Sequence, residues 1–288
     1  MNQIQSGPGG LAAGTAAAPT HILAPTDLSA RSDRALARAA ALATEHGAKL
    51  TVLHVIDAEL PDKARAAAAE AARDTVTAAL GGGGAALDIR EGEDFRDILA
   101  AAEAHGADLL VMGRHRNEDG LKPLGGTTLD RVVRYGRVPV LLAAGPVGGA
   151  YRKVVAGLDL SEGSVAALAL ASKVAPGAEL HGVHAYMVPF AGFQSGAAAQ
   201  EQERAAHAEQ IDALLAAMPG GVGVTRHLVH GDAAKVLRDA VVDMAPDLVA
   251  MGTHARTGIA RAVIGSLAEN FLAHPPCDVL VARAGPIA

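Results

Sequence analysis

His21-Ile22-Leu23-Ala24-Pro25-Thr26-Asp27-Leu28-Ser29 returns 132 residues later as Lys153-Val154-Val155-Ala156-Gly157-Leu158-Asp159-Leu160-Ser161. Ala107-Asp108-Leu109-Leu110-Val111-Met112-Gly113-Arg114-His115 returns as Pro246-Asp247-Leu248-Val249-Ala250-Met251-Gly252-Thr253-His254, now 139 residues on. Val138-Pro139-Val140-Leu141-Leu142-Ala143 likewise returns as Cys277-Asp278-Val279-Leu280-Val281-Ala282 at the same offset. The chain is therefore a tandem duplication, and self-similarity on this scale sets the architecture before any local reading. The seven-residue change in offset (139 − 132) marks an insertion, placed at Met187 to Gln200, where Pro189, Gly192 and Gly196 interrupt the pattern. The joint is Gly145-Pro146-Val147-Gly148-Gly149, too short to hold the halves far apart.

Each half alternates short apolar runs with longer helical patterns. The runs Ile22 to Ala24, Leu50 to Val55, Leu109 to Met112 and Val140 to Leu142 suit fully buried strands, while Ser32 to Glu45, Asp62 to Leu80 and Phe95 to Glu103 have helical spacing. Ser29 and Ser161 stand where helix N-caps belong, and Gly47 where a C-cap belongs. Strand and helix in alternation mean βαβ units, a parallel sheet and right-handed crossovers that put helices on both faces. The prediction is two doubly wound α/β domains in tandem, over residues 19–145 and 150–285, preceded by a disordered tail at residues 1–18. Each half would leave its last strand as an apolar edge. The pairing of Pro139 to Ala143 with Asp278 to Ala282 about a two-fold axis would remove that liability.

Composition excludes several classes across the 288 residues. A single cysteine, Cys277, cannot form a disulfide within the chain. The 50% hydrophobic content includes 65 alanines, and no apolar run reaches the ~18 to 20 residues of a membrane-spanning helix. Met1 to Thr20 has no basic segment of the kind that opens a secretory signal, so a cytoplasmic location and no membrane partner are expected. A net charge of −6 with only three Tyr, four Phe and no Trp argues against a nucleic-acid platform.

In a parallel α/β sheet the ligand crevice lies beyond the carboxyl ends of the strands. There, in the second half, Met251 is followed by Gly252-Thr253-His254-Ala255-Arg256, and nine residues after Ala255 come Gly265-Ser266-Leu267 at the start of a helical run. Free N–H groups at a helix start, with a hydroxyl beside them, suit an anion such as phosphate. Arg256 and Arg261 add positive charge; the plain alternative is a tight strand exit and an ordinary cap.

The pattern of Gly, two residues, a small residue, nine residues, then Gly and Ser or Thr, preceded by Asp-Leu-Leu-Val-Met-Gly and followed by Pro-Val-Leu-Val, resembles the universal stress protein domain, twice, from about His21 to Arg283. The resemblance implies a five-stranded parallel sheet in each half, akin to the adenine-nucleotide alpha hydrolase folds, and, for one branch of the family, ATP as ligand, with Mg as its counter-ion. Carried onto this sequence it places the adenosine against Gly157, Asp159 and the backbone of Ala185. It places the phosphates against Gly252, Thr253, His254, Ala255, Arg256, Gly265, Ser266 and Leu267. Ala255 stands where the family pattern has glycine, so its methyl weakens the cradle. The first half has Arg116 at that glycine position, with Glu118 and Asp119 in the same loop, although Pro25, Thr26, Asp27 and Val55 match the adenosine side well. One nucleotide per chain, in the second half, is the expectation, with the insertion and its Phe190 and Phe193 as a lid.

No nucleophile elbow, Walker sequence or general base is evident, so turnover is at most slow. Three readings stand: an ATP-binding regulatory module of the stress response, a nucleotide-free interaction protein with a client, and an adenosine-phosphate hydrolase. The resemblance implies an intrachain pseudo-dimer and allows a homodimer. His181 and His184, and likewise His227 and His230, are three apart on strands and face opposite ways, which disfavours zinc. His54 and His184 are expected to be structural, and Cys277 a small core residue.

Overall fold

The computed structural model describes residues 17–30, 32–80, 84–114, 126–187, 197–216, 218, 223–253 and 265–283. Residues 1–16 of the tail expected over 1–18, and most of the insertion, residues 188–196 with Phe190 and Phe193, lie outside the described residues. The insertion's last residues, Ala197 to Gln200, form the start of a helix.

The first half runs β1 (His21–Pro25), α1 (Ser32–His46), β2 (Lys49–Asp57), α2 (Asp62–Leu80), β3 (Ala86–Gly92), α3 (Asp94–His105), β4 (Leu109–Gly113), α4 (Thr128–Tyr135) and β5 (Val140–Ala143). The second repeats it as β6 (Lys153–Leu158), α5 (Glu162–Val174), β7 (Glu179–Tyr186), α6 (Ala197–Ala216), β8 (Val224–His230), α7 (Ala233–Met244), β9 (Leu248–Thr253), α8 (Ser266–Ala273) and β10 (Asp278–Arg283). Within each half the strands are parallel. The two halves form one ten-stranded sheet in the order β3-β2-β1-β4-β5-β10-β9-β6-β7-β8. Its centre is the antiparallel pair β5/β10, with Val140, Leu141 and Leu142 opposite Val281, Leu280 and Val279.

Strand residues alternate between two apolar layers, and each layer runs through both halves. Ile22, Val52, Leu141, Val154 and Leu280 pack with α1, α2, α5 and α6 on one face. Leu23, Leu53, Leu142, Val155 and Val279 pack with α3, α4, α7 and α8 on the other. Helix α1 shows why: Ala35, Leu36, Ala39, Leu42 and Ala43 recur at helical spacing and are all buried. Gly47 after α1 has φ +62°, the left-handed stop that the sequence indicates. Ser161 caps α5 by accepting from the Ser164 N–H while donating its own N–H and hydroxyl to Asp159; Ser29 donates likewise to Asp27, but α1 begins only at Ser32. Asp108 and Asp247, matched in the repeat, do the same work in each half. Asp108 accepts from the N–H groups of Thr20 and His21 at 2.8 and 3.1 Å. Asp247 accepts from those of Arg152 and Lys153 at 2.8 and 3.0 Å.

The junction is held by a buried charge. Asp278, 2% exposed, accepts from the N–H groups of Ala144 (2.8 Å) and Gly145 (3.0 Å), the Tyr151 hydroxyl (2.6 Å) and Arg38 Nε (2.9 Å). Arg38 also donates to the Gly149 carbonyl and lies 4.4 Å from the Tyr151 ring centroid. Burial, with the neighbouring Asp278 carboxylate, pushes the Tyr151 hydroxyl well above its ordinary pKa. Cys277 is pushed up to about 12, mainly by burial, and packs against the second apolar layer. Removing one partner of a buried ion pair strands the other. Asp278→Ala is expected to cost about 3–5 kcal/mol in urea unfolding; a loss below about 1 kcal/mol would show that Arg38 finds water or another acceptor.

Candidate functional site

The crossovers bring the carboxyl ends of β6, β7 and β9 together with the start of α8. Gly157, Asp159, Ala185, Gly252, Gly265 and Leu267 border one cavity of about 90 Å³. Leu158, Ser164, Val183, Leu237 and Met251 also line it, and none of these was singled out from the sequence. Val183 was legible in principle, since it lies two residues before Ala185 and so on the same sheet face. His254, Ala255 and Arg256 lie outside the described residues, as do Arg116, Glu118 and Asp119 of the first half. Thr253 is 2% exposed, with its hydroxyl donating to the Ala282 carbonyl at 3.5 Å, so it serves the sheet.

At the mouth, Asp159 accepts from the Ser161 N–H (3.1 Å) and hydroxyl (2.5 Å). Asp27 repeats this in the first half, taking the N–H and hydroxyl of Ser29 and the hydroxyl of Ser32. Burial acts to raise the Asp27 carboxyl, but the bonds from Ser29 and Ser32 outweigh it and hold the group below its ordinary pKa of 3.8. Those bonds contribute stability above that pH and lose it as the pH falls lower still. The histidines near this end are structural. His54 Nδ1 donates to the Thr26 carbonyl and His184 Nδ1 to that of Leu158. His184 Nε2 is 3.0 Å from His207 Nδ1, while His181 meets His227 on the other sheet face at 3.1 Å. Burial, with His181 alongside, lowers the pKa of His227. Among the described residues no three metal-ligating side chains converge.

The two halves differ most at the helix start. In the first, Thr127 caps α4: its hydroxyl accepts from the Asp130 N–H (3.1 Å) and the Asp130 carboxylate accepts from the Thr127 N–H (3.0 Å). This capping box occupies the Thr127 and Asp130 N–H groups and sets a carboxylate at the helix start, where it competes with an anion. In the second, the cap of α8 is Gly265, with extended backbone and no side-chain cap. The N–H groups of its first turn have no acceptor within the helix. At the base of the cavity the order is reversed. The first half has a larger cavity, about 290 Å³, where Thr26 stands in place of Leu158 and Ile98 in place of Leu237.

Gly252 has a reason of its own. A Cβ there would lie 2.3 Å from the Gly163 carbonyl carbon and 2.4 Å from Ser164 N, and a Cβ at Gly163 would lie 2.7 Å from the Thr253 carbonyl oxygen. Paired glycines thus let β9 run against the first turn of α5, whatever occupies the cavity.

A universal stress protein family model matches residues 19–144 and 150–283, and the chain belongs to that family as a tandem of two domains. It is 31% identical over 120 residues to the "Universal stress protein in QAH/OAS sulfhydrylase 3'region" of Thermus aquaticus, a match spanning 41% of this chain and 87% of that relative. A universal stress protein structure from Archaeoglobus fulgidus superposes with a TM-score of 0.67 at 21% identity, covering 92% of this chain and 98% of that one. A functionally unknown protein from Pseudomonas aeruginosa PAO1 superposes with a TM-score of 0.66 at 22% identity, covering 93% and 94%. These two likenesses concern the fold. No described helix is long and apolar enough to cross a membrane.

Because its neighbours are backbone atoms, Gly252→Ala is expected to cost about 1–3 kcal/mol of stability by overpacking. Thermal unfolding without any ligand checks this, and an unchanged midpoint would return Gly252 to a purely ligand-facing role.

Proposed function

We propose that the chain binds ATP, with Mg as counter-ion, in its second half and works as a regulatory module of the stress response without rapid turnover. The observation that supports this most directly is the uncapped start of α8, where Gly265 offers backbone N–H groups and no side chain to obstruct an anion. Its counterpart in the first half is closed by Thr127 and Asp130. In this reading Gly265, Ser266 and Leu267 hold phosphate through their backbone N–H groups, and Asp159 and the Ala185 backbone meet the ribose and base. The base end is tight. About 90 Å³ is well below the ~300 Å³ at which ligand cavities begin, so Leu158 and Leu237 must turn aside for a purine to enter. Mg, when bound, supplies charge neutralisation on the phosphates.

The first-half cavity favours a second reading for that half: at about 290 Å³, with its anion end sealed, it suits a ligand of nucleoside size without a phosphate chain.

Calorimetric titration with Mg-ATP of the intact chain and of Gly265→Val tests the assignment. Near-unit stoichiometry in the intact chain and loss of most binding in the variant are expected. Unchanged stoichiometry in the variant would move the nucleotide to the first half; no binding to either protein would favour a nucleotide-free interaction protein.

A further inference from the structure

The repeat predicts that both helix starts should close alike. Asp130, in the first turn of α4, corresponds to Glu269 in the first turn of α8 at the offset of 139. Yet Asp130 turns back onto the Thr127 N–H, while Glu269 makes no cap. Its Oε1 accepts instead from Arg134 Nη2, at 3.2 Å, on the other half of the chain.

The two-fold relation at β5/β10 explains why only one half behaves this way. The antiparallel pairing reverses the strand direction between halves. The last turn of α4, which carries Arg134, therefore meets the first turn of α8, which carries Glu269. At the repeat offset the counterparts of Arg134 and Glu269 are Ala273 and Asp130, so the image of that contact would face alanine toward Asp130. Alanine has no charge to offer, so Asp130 stays on its own helix and completes the capping box. The asymmetry of the two helix starts thus traces to one residue pair, Arg134 against Ala273.

We propose that Arg134 of the first half is a positioning residue for the anion site of the second. It holds the Glu269 carboxylate off the α8 N-terminus and cancels its charge, which keeps the first-turn N–H groups open to a phosphate chain. This rests on the ATP reading given above, and names the residue on which that site depends from across the junction. Without Arg134, Glu269 is free to fold toward the N–H groups of its own helix, as Asp130 does. A carboxylate is favoured there by the helix dipole, and it competes with the ligand both for donors and through like charge. The penalty must grow with ligand charge: greatest for ATP, smaller for AMP, absent for adenosine.

The test is calorimetry on the full chain with Mg-ATP, AMP and adenosine, for the unaltered protein and for Arg134→Ala, Arg134→Lys, Glu269→Gln and the double variant Arg134→Ala/Glu269→Gln. Both residues are half-exposed, so folding should be undisturbed, and thermal unfolding verifies it. Arg134→Ala is expected to weaken Mg-ATP about five- to tenfold and leave adenosine within about twofold. Arg134→Lys should recover most of the loss. The double variant should return to the affinity of the unaltered protein, because the competing carboxylate has gone. Three results overturn the proposal: Arg134→Ala binding ATP as the unaltered chain does, an equal loss for ATP and adenosine, or a double variant no better than Arg134→Ala. If the unaltered chain binds no ATP, the ATP reading falls and this role falls with it; if it binds but is insensitive to Arg134, only the role falls.

Discussion

One buried carboxylate decides how the halves are joined. Asp278 opens β10, and its two oxygens receive four donors from three parts of the chain: α1, the exit of β5 and the start of the second half. A carboxylate this deep is tolerated only if paired and fully hydrogen-bonded, and a well-packed apolar replacement could match it in energy. What an apolar group could not do is fix the register. Sliding β10 by one residue past β5 would carry the carboxylate to the opposite sheet face, away from Arg38 and Tyr151 and into an apolar layer. The charge makes every alternative pairing of the two edge strands costly, so the apolar matches between Val140, Leu141 and Leu142 and the facing strand occur in one register alone.

From that register the shared architecture follows. The apolar layers run unbroken across the junction. Reversal of strand direction sends the ligand-facing ends of the two halves to opposite edges of the sheet. The foot of α4 is thereby brought to the head of α8. Duplication would otherwise produce two equivalent sites. The fused geometry instead places side chains of one half against the helix starts of the other, as the Arg134–Glu269 ion pair does.

The layout of this molecule was legible because duplication writes the same signals twice. Strand runs, the Asp62–Leu80 helix and the pairing of the last strands all follow from apolar spacing and offset. The crevice followed from the parallel sheet, the family resemblance added the adenosine-side residues, and six of the eleven residues named for it line a single cavity. Gly252 borders the cavity, but its close packing against Gly163 was not legible because Gly163 is distant in sequence. Ser29 looked like a cap because it matches Ser161, but α1 begins three residues after Ser29, at Ser32, whereas α5 begins directly after Ser161. Gly126-Thr127 and Gly265-Ser266 look interchangeable, and what separates them lies three residues on and across a junction. Spacing cannot reveal a contact between residues whose proximity is made by the fold.

Leu28 and Leu160 extend that lesson to the backbone. Both follow the mouth aspartate, and both adopt left-handed φ, +60° and +63°, which costs a non-glycine residue roughly 1–2 kcal/mol. Glycine would remove the strain, yet each leucine packs its side chain against the first apolar layer, a contact glycine would forfeit. The turn is locked from both sides: the aspartate accepts from the serine N–H two residues on, and its own N–H reaches the hydroxyl of Ser32 or Ser164. The same strain therefore appears in two halves whose cavities differ threefold in volume and whose helix starts differ in chemistry. A conformation indifferent to those differences belongs to the construction of the strand-to-helix turn. It presents a carboxylate at the mouth of either cavity, and the difference between the halves is confined to the opposite wall, where Thr26 and Ile98 stand in place of Leu158 and Leu237 and the helix starts diverge.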